Sequence, residues 1–321
     1  MTAPTKRREG FALMAALWIV VLVGVAGYEL SARARTRRLA VANALEMVQA
    51  RAAADAGLES ARGALEQRLR APFTARAFRS VDATLDPLGD LSFVPADTTA
   101  LDAVRSVATV RDAGAFLQIN RATEDDVRRF LVALPMDTRV AERVAQRILD
   151  WRDADRFPRA HGAERDDYLR AGARVLPSDA DFRQVEELRE VDGVTADVYA
   201  RIAPYLSVSG SGRINVNSAP RVVLRSLPGL GDEAVDVLYR ARESTRPLRT
   251  LSELSVRLGA GGRQALLDAM PDLMPRVVFE TTEIAVRSTG WVDGSPIRAR
   301  ESALYQRSGD ALTVIARRID Q

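Results

Sequence analysis

Hydrophobic positions change their period several times along the chain, and each change marks a different element. Residues 11–28, FALMAALWIVVLVGVAGY, are apolar on every face and carry no charge. Eighteen helical residues at ~1.5 Å rise cover about 27 Å, just enough to span a bilayer core. A buried core helix is rarely apolar all round. A secretory signal needs a small-x-small cleavage site, which Gly27-Tyr28-Glu29 supplies badly. A plain membrane anchor stays open. From Glu29 to about Arg70 the chain is rich in Ala, Leu, Arg, Gln and Glu, with no proline before Pro72, so the helix is expected to continue. Val41, Leu45, Val48, Ala52 and Leu58 form an apolar stripe at three- and four-residue spacing.

Beyond this helix, Pro72, Pro87 and Pro95 punctuate short mixed segments. Ser106–Val110 and Ala115–Ile119 flank Asp112-Ala113-Gly114, which predicts a hairpin. From Thr123 to Tyr205 the spacing turns helical, opened by the amino cap Thr123-Glu-Asp-Asp126. Leu206–Ser209 and Arg213–Val216 around Gly210-Ser-Gly212 predict a second hairpin, and helical spacing resumes from Ala219 to about Met270. Val277–Val286, Ile297–Tyr305 and Leu312–Ile319 are β-branched runs separated by Asp293-Gly294-Ser295 and Gly309-Asp310, the pattern of an antiparallel meander. Segments 117–134 and 213–230 resemble each other, each a short strand ending in Asn, a cap region and an apolar helix. The order helix, strands, helices, strands reads as an α+β unit with helical insertions.

Composition removes most chemistry. The 321 residues include no cysteine and one histidine, His161, which excludes disulfides, thiolate catalysis, Cys-ligated metals and any multi-His centre within the chain. No G-x-x-x-x-G-K-[ST] occurs, and the net charge of +3 gives no overall pull toward nucleic acid. Lys6, Arg7 and Arg8 precede the apolar run, which predicts a cytoplasmic amino terminus and a body on the other side.

Two local features carry candidate chemistry. Asp150, Asp153, Asp155, Glu164, Asp166 and Asp167 crowd one stretch with Pro158 and Gly162. Several carboxylates on a loop suit calcium, which takes six to eight oxygens. Arg152, Arg156, Arg159 and Arg165 are interleaved, so a solvated loop of Arg–carboxylate pairs is the competing reading. Leu227-Pro-Gly-Leu-Gly231 before an apolar helix resembles a helix-hairpin-helix, as in competence DNA receptors, and Arg213–Arg257 holds eight arginines against five acids. This makes a membrane-anchored periplasmic DNA-binding protein the alternative function. An aromatic content of 6% is a weak footprint for strand binding, and the glycines equally serve a structural turn.

A basic leader ending Glu9-Gly10, then Phe11 and an apolar helix, resembles a type IV prepilin-like signal. That resemblance implies cleavage between Gly10 and Phe11 and N-methylation of Phe11. Ala15 then falls at the fifth mature position, where most pilins and pseudopilins carry Glu. A buried carboxylate is worthwhile only with a partner ahead, so Ala15 points to a subunit with nothing ahead of it. Asn217-Ser-Ala-Pro220, Asp150-Trp-Arg-Asp-Ala-Asp155, Gly162-Ala-Glu164, Tyr168-Leu169, Val185-Glu-Glu-Leu188 and Tyr205-Leu206 occur in order. Together with the leader they resemble the minor pseudopilin K family of the type II secretion system over essentially the whole chain. The resemblance implies a leader at 1–10, a transmembrane and spine helix at 11–71 and the first part of a pilin-like β region at 72–119. It further implies an α-helical insert at 120–205, a second helical module at 206–275 and a β meander at 276–321. The fold class is thus α+β, a pilin-like spine helix and antiparallel sheet interrupted by a large all-α insertion of SAM-like or helix-hairpin-helix-like kind. No enzymatic activity is implied. The implied setting is the Gram-negative inner membrane, single-pass, with a periplasmic body at the pseudopilus tip. Implied partners are minor pseudopilins I and J, the major pseudopilin, the inner-membrane secretion platform and prepilin peptidase. Nucleic acid is not expected, no cofactor is required, and calcium in the helical domain is the one ligand the family suggests.

Overall fold

The computed structural model describes residues 9–70, 88, 97–101, 103–244 and 247–320. Leader residues 1–8 and the stretch containing Pro72, Pro87 and Pro95 lie outside the described residues. Helix α1 (Glu9–Arg70) is one unbroken helix of 62 residues, as its helix-forming composition and lack of proline dictate. Its apolar portion has a mean hydropathy of 2.1 over 18 residues and none of it is buried, so by length and composition it can cross a membrane. Ala15 sits there, half-exposed.

The far end of α1 packs on a five-stranded antiparallel sheet ordered β1-β2-β7-β8-β9. Its strands are β1 (Asp97–Leu101), β2 (Val104–Asp112), β7 (Glu283–Val292), β8 (Arg298–Ser308) and β9 (Ala311–Asp320). The carboxyl-terminal meander is therefore present. Leu58, Leu65 and Leu69 of α1 meet Ile284, Val286, Ala303, Tyr305 and Leu312 in one apolar cluster. The face of α1 turned to the sheet carries Ala50, Ala54, Gly57, Leu58, Ala61 and Leu65, all buried. Of the stripe expected from the sequence, only Leu58 belongs to this face. Val41, Leu45 and Val48 stay 70%, 58% and 62% exposed, and Ala52 is exposed with them. At about 100° per residue those four lie roughly opposite the buried face, to which only Leu58 of that set belongs. Small residues win the sheet-facing side because the backbones approach closely. A Cβ on Gly290 of β7 would lie 2.2 Å from the Ala50 carbonyl oxygen and 2.4 Å from the Ala54 nitrogen.

β2 pairs with β7, Val104 opposite Val292 through Asp112 opposite Ile284, so residues 113–282 are inserted between neighbouring strands. Neither predicted hairpin forms. After a 3₁₀ turn at Ala113–Ala115, β3 (Leu117–Gln118) pairs in parallel with β4 (Leu206–Ser207), and β5 (Ile214–Asn215) pairs in parallel with β6 (Val277–Val278). Parallel strands require a crossover, and helices supply both. Between β3 and β4 run α2 (Glu124–Ala133), α3 (Thr138–Arg152), α4 (Arg165–Arg170) and α5 (Ala196–Ile202). Between β5 and β6 run α6 (Arg221–Ser226), α7 (Asp232–Glu243), α8 (Leu251–Val256), α9 (Ala260–Asp268) and α10 (Met270–Leu273). The insertion is thus helical with two short parallel strand pairs, rather than purely α.

The two crossovers repeat one plan, which gives the sequence similarity of 117–134 and 213–230 a physical form. In the first, the Asn120 amide donates to the carbonyls of Phe182 (2.9 Å) and Val208 (3.0 Å). In the second, the Asn217 amide donates to those of Leu248 (2.7 Å) and Phe279 (2.8 Å). Each Asn ties its strand end to the residue after the returning strand. Both crossovers share one apolar core running from Leu117 to Val277, with Phe130, Trp151 and Leu238 among its buried side chains.

Candidate metal centre

Helix α3 begins at Asp137, whose carboxylate accepts from the Arg139 and Val140 amides at 3.0 and 3.2 Å. Its apolar positions end at Trp151, which stacks on Phe182 (centroids 6.4 Å) and lies edge-on to Tyr168 (5.5 Å). That aromatic anchor holds the last turn in place, with Asp150 fully buried beside it. The chain then loops back to α4, where Glu164 is the amino cap and its amide donates to the Asp167 carboxylate at 2.9 Å. Glu164 itself is 4% exposed.

The loop sorts its acids into two sets. Asp150 pairs with Arg159, and the same guanidinium nitrogen reaches Asp153 at 2.6 Å; the Arg159 amide also donates to Asp150 at 3.2 Å. Asp167 faces Arg170 at 2.6 Å, and Asp166 is exposed. The second set shares Asp153 with the first, and among the described residues no ion pair covers Asp155 or Glu164. Carboxylate oxygens of Asp153, Asp155 and Glu164 lie within 4.8 Å of one another. Both Glu164 oxygens, one Asp153 oxygen and one Asp179 oxygen are buried with no hydrogen-bond partner. Burial, reinforced by Asp150, Asp153, Asp155 and Asp179, pushes the Glu164 carboxyl up to about 7. Burial also raises Asp150, against the pull of Arg159.

Of the six expected ligands, the structure therefore brings three together and holds Asp150 behind them on Arg159. It leaves Asp166 and Asp167 apart. Asp179, which the sequence reading did not single out, completes the electrostatic wall; its φ of 49° is the one local signal of an unusual position. Orphaned buried carboxylate oxygens without sulfur or imidazole among them fit a hard, oxygen-seeking cation of the calcium type. His161 is exposed, and only its backbone is engaged, donating to Gln146 at 2.7 Å.

The glycine hairpin of the alternative reading is packed inward. Gly229 has φ +72°, and a Cβ there would meet the Ala269 side chain at 2.6 Å and the Ala265 carbonyl at 2.9 Å. The backbone thus approaches α9, where a phosphate would otherwise sit. Asp232 and Glu233 occupy the first turn of α7, which places negative charge where an anion would bind. Arg221 is paired with Asp236, Arg225 with Asp232 at 2.7 Å, and Arg242 donates to the Val216 and Ala219 carbonyls at 2.6 and 2.8 Å.

Comparison with known proteins bears on this architecture as a whole. The family model described as "Type II secretion system (T2SS), protein K" matches residues 101–211. The type II secretion system protein K of Dickeya chrysanthemi is 30% identical over 188 residues, 56% of this chain and 48% of that protein. The protein of the same name from Pseudomonas aeruginosa is 27% identical over 269 residues, 79% of this chain and 78% of that protein. With the Dickeya and Pectobacterium relatives, the shared stretch spans about half of their length. Among solved structures, a chain of the GspK-GspI-GspJ complex from the type 2 secretion system of enterotoxigenic Escherichia coli aligns with a TM-score of 0.59. It is 17% identical, over 89% of this chain and 99% of that one, and shares the fold. The relatives agree with one another: the chain is similar to type II secretion system protein K, in the family model over residues 101–211 and in the Pseudomonas aeruginosa protein over most of its length.

Proposed function

We propose that this chain is the non-enzymatic tip subunit of a pseudopilus, initiating or capping its assembly and supporting export of folded proteins from the periplasm. One observation carries the reading. Val41, Leu45 and Val48, beyond the membrane-crossing stretch on the same helix, are exposed on the side opposite the sheet-facing residues, as they are in a helix that packs on other spines. Residues 113–282 add a bulky insertion to one end of that spine, and a unit of that size needs clearance that a filament interior does not offer. Ala15 fits the same place, since no subunit ahead would supply a charge for a carboxylate there. The related solved structure is a complex of K, I and J proteins, which supports minor pseudopilins I and J as immediate partners. The major pseudopilin and the inner-membrane platform would lie below. The body is placed in the periplasm, with 120–205 and 206–275 as its two helical units. Nucleic acid has no part in this reading, because Arg213, Arg221, Arg225 and Arg242 are engaged within the fold and the hairpin is packed inward.

Asp153, Asp155 and Glu164 would hold calcium, which would supply positive charge to the unpartnered buried oxygens of Glu164 and Asp153 and tie the end of α3 to the start of α4. Cleavage by prepilin peptidase between Gly10 and Phe11 would release the spine. Glycine leaves the peptidase pocket open, so Gly10→Val is expected to accumulate uncleaved precursor; equal gel mobility of both forms with the peptidase present would contradict it. The functional reading is tested by co-purification of the full chain with minor pseudopilins I and J in mild detergent. A stable complex that weakens on Val41→Asp plus Val48→Asp is expected. Recovery of this chain alone, with I and J pairing normally without it, would count against it.

A further inference from the structure

The segment immediately beyond the membrane-crossing stretch carries Arg33, Arg35, Arg37 and Arg38, with no acid between Glu29 and Glu46. All four are exposed. Arg33 is paired with Glu29 at 2.8 Å, while among the described residues no ion pair engages Arg35, Arg37 or Arg38. The expected topology does not explain them, because basic residues near a span favour its cytoplasmic side and these lie on the side of the body. Removal of residues 1–10 would leave them as the basic side chains flanking the span, opposite only the new terminal amine of Phe11.

Their geometry suits a layer rather than a neighbouring chain. At about 100° per residue, Arg35, Arg37 and Arg38 point to three sides of α1 spanning roughly 160°, a collar rather than a stripe. Arg33 lies about 7.5 Å and Arg38 about 15 Å beyond Tyr28 along the axis. Helical side chains tilt toward the amino terminus, which here is toward the apolar stretch, and long arginines lean the same way to reach a polar interface. The guanidinium groups are therefore brought down to the depth of headgroup phosphates, which they can bind bidentately.

We infer that this arginine collar binds anionic phospholipid headgroups of the phosphatidylglycerol class on the body side of the membrane, holding the spine in the bilayer until it is lifted into a filament. The inference rests on the reading of α1 as a membrane anchor. The test reconstitutes the full chain in vesicles of equal phosphatidylcholine and phosphatidylglycerol, extracts it in mild detergent and measures the ratio of the two lipids retained. The native chain should retain phosphatidylglycerol preferentially, and Arg35→Gln, Arg37→Gln plus Arg38→Gln should reduce that preference by about fivefold per arginine at low salt. The corresponding Lys variants should keep most of it. Because the chain has no cysteine, Thr36→Cys gives a unique spin-label position, whose immobilisation should depend on phosphatidylglycerol. Insertion without lipid preference, or a Gln variant that retains as much as the native chain, overturns the collar and leaves the anchor standing. A chain that an alkaline wash removes from the vesicles overturns both. Immobilisation that requires added minor pseudopilins and ignores lipid charge would assign the collar to a protein partner and overturn the proposal.

Discussion

Gly290→Ala is expected to destabilise the protein by about 3 kcal/mol, the upper end of the range for overpacking a tight contact. The added Cβ would meet the Ala50 carbonyl oxygen at 2.2 Å, the Ala54 nitrogen at 2.4 Å and the Ala53 Cβ at 2.8 Å. None of these atoms sits at the end of a flexible side chain, so relief requires α1 to move off the sheet. That would loosen Leu58, Leu65 and Leu69 from their pockets as well. Gly63 has nothing within 4 Å of the corresponding Cβ position, so Gly63→Ala should be neutral or gain up to about 1 kcal/mol from helix propensity. Thermal unfolding in mild detergent should put Gly290→Ala well below the native midpoint and Gly63→Ala at or above it. A Gly290→Ala midpoint equal to the native one would show that the helix does not approach β7 so closely.

The second large effect concerns Glu164, and its sign depends on calcium. Without a cation, the native state holds the Glu164 proton up to about 7, while the unfolded chain releases it near 4.3. Between those values the folded state binds more protons, so stability should fall as pH rises through this window and stay low above it. Glu164→Gln removes the charge and should flatten that slope, raising the melting temperature in chelator at pH 8. With calcium the order should reverse. At about 100 times the dissociation constant, binding adds roughly 2.7 kcal/mol to the native protein, and Glu164→Gln should lose most of it. Asp166→Asn should keep the calcium gain, since Asp166 stands outside the cluster. Equal calcium stabilisation of the native and Glu164→Gln proteins would move the cation elsewhere or leave the loop without one.

These two sites also show what could be read from residues alone. The length of α1 was legible, because helix formers without proline leave no alternative. Its buried face was not. Ala50, Ala54, Gly57 and Ala61 look less hydrophobic than Val41, Leu45 and Val48, yet close backbone approach selects small side chains for the sheet and leaves the larger ones outside. The meander announced itself through β-branched runs and short turns. The pairing of β2 with β7 did not, since its partner lies beyond the whole insertion, and two-residue strands carry too little pattern to reveal parallel partners. Gly210-Ser-Gly212 allowed a hairpin, but Leu206 and Ile214 each found an apolar partner in another segment, Leu117 and Val277. The acidic loop was visible as composition. Which acids Arg159 neutralises and which stay bare depends on side-chain positions set by Trp151 and the fold around it, and no spacing rule encodes that.

The proposed place of this chain at the end of the filament is tested by where the chain is found in assembled pseudopili. Pseudopili assembled with a carboxyl-terminally tagged copy of this protein should bind a gold label once, at one end, with none along the shaft. Labels spaced evenly along the filament would contradict the tip assignment, whatever the strength of binding to the other minor pseudopilins.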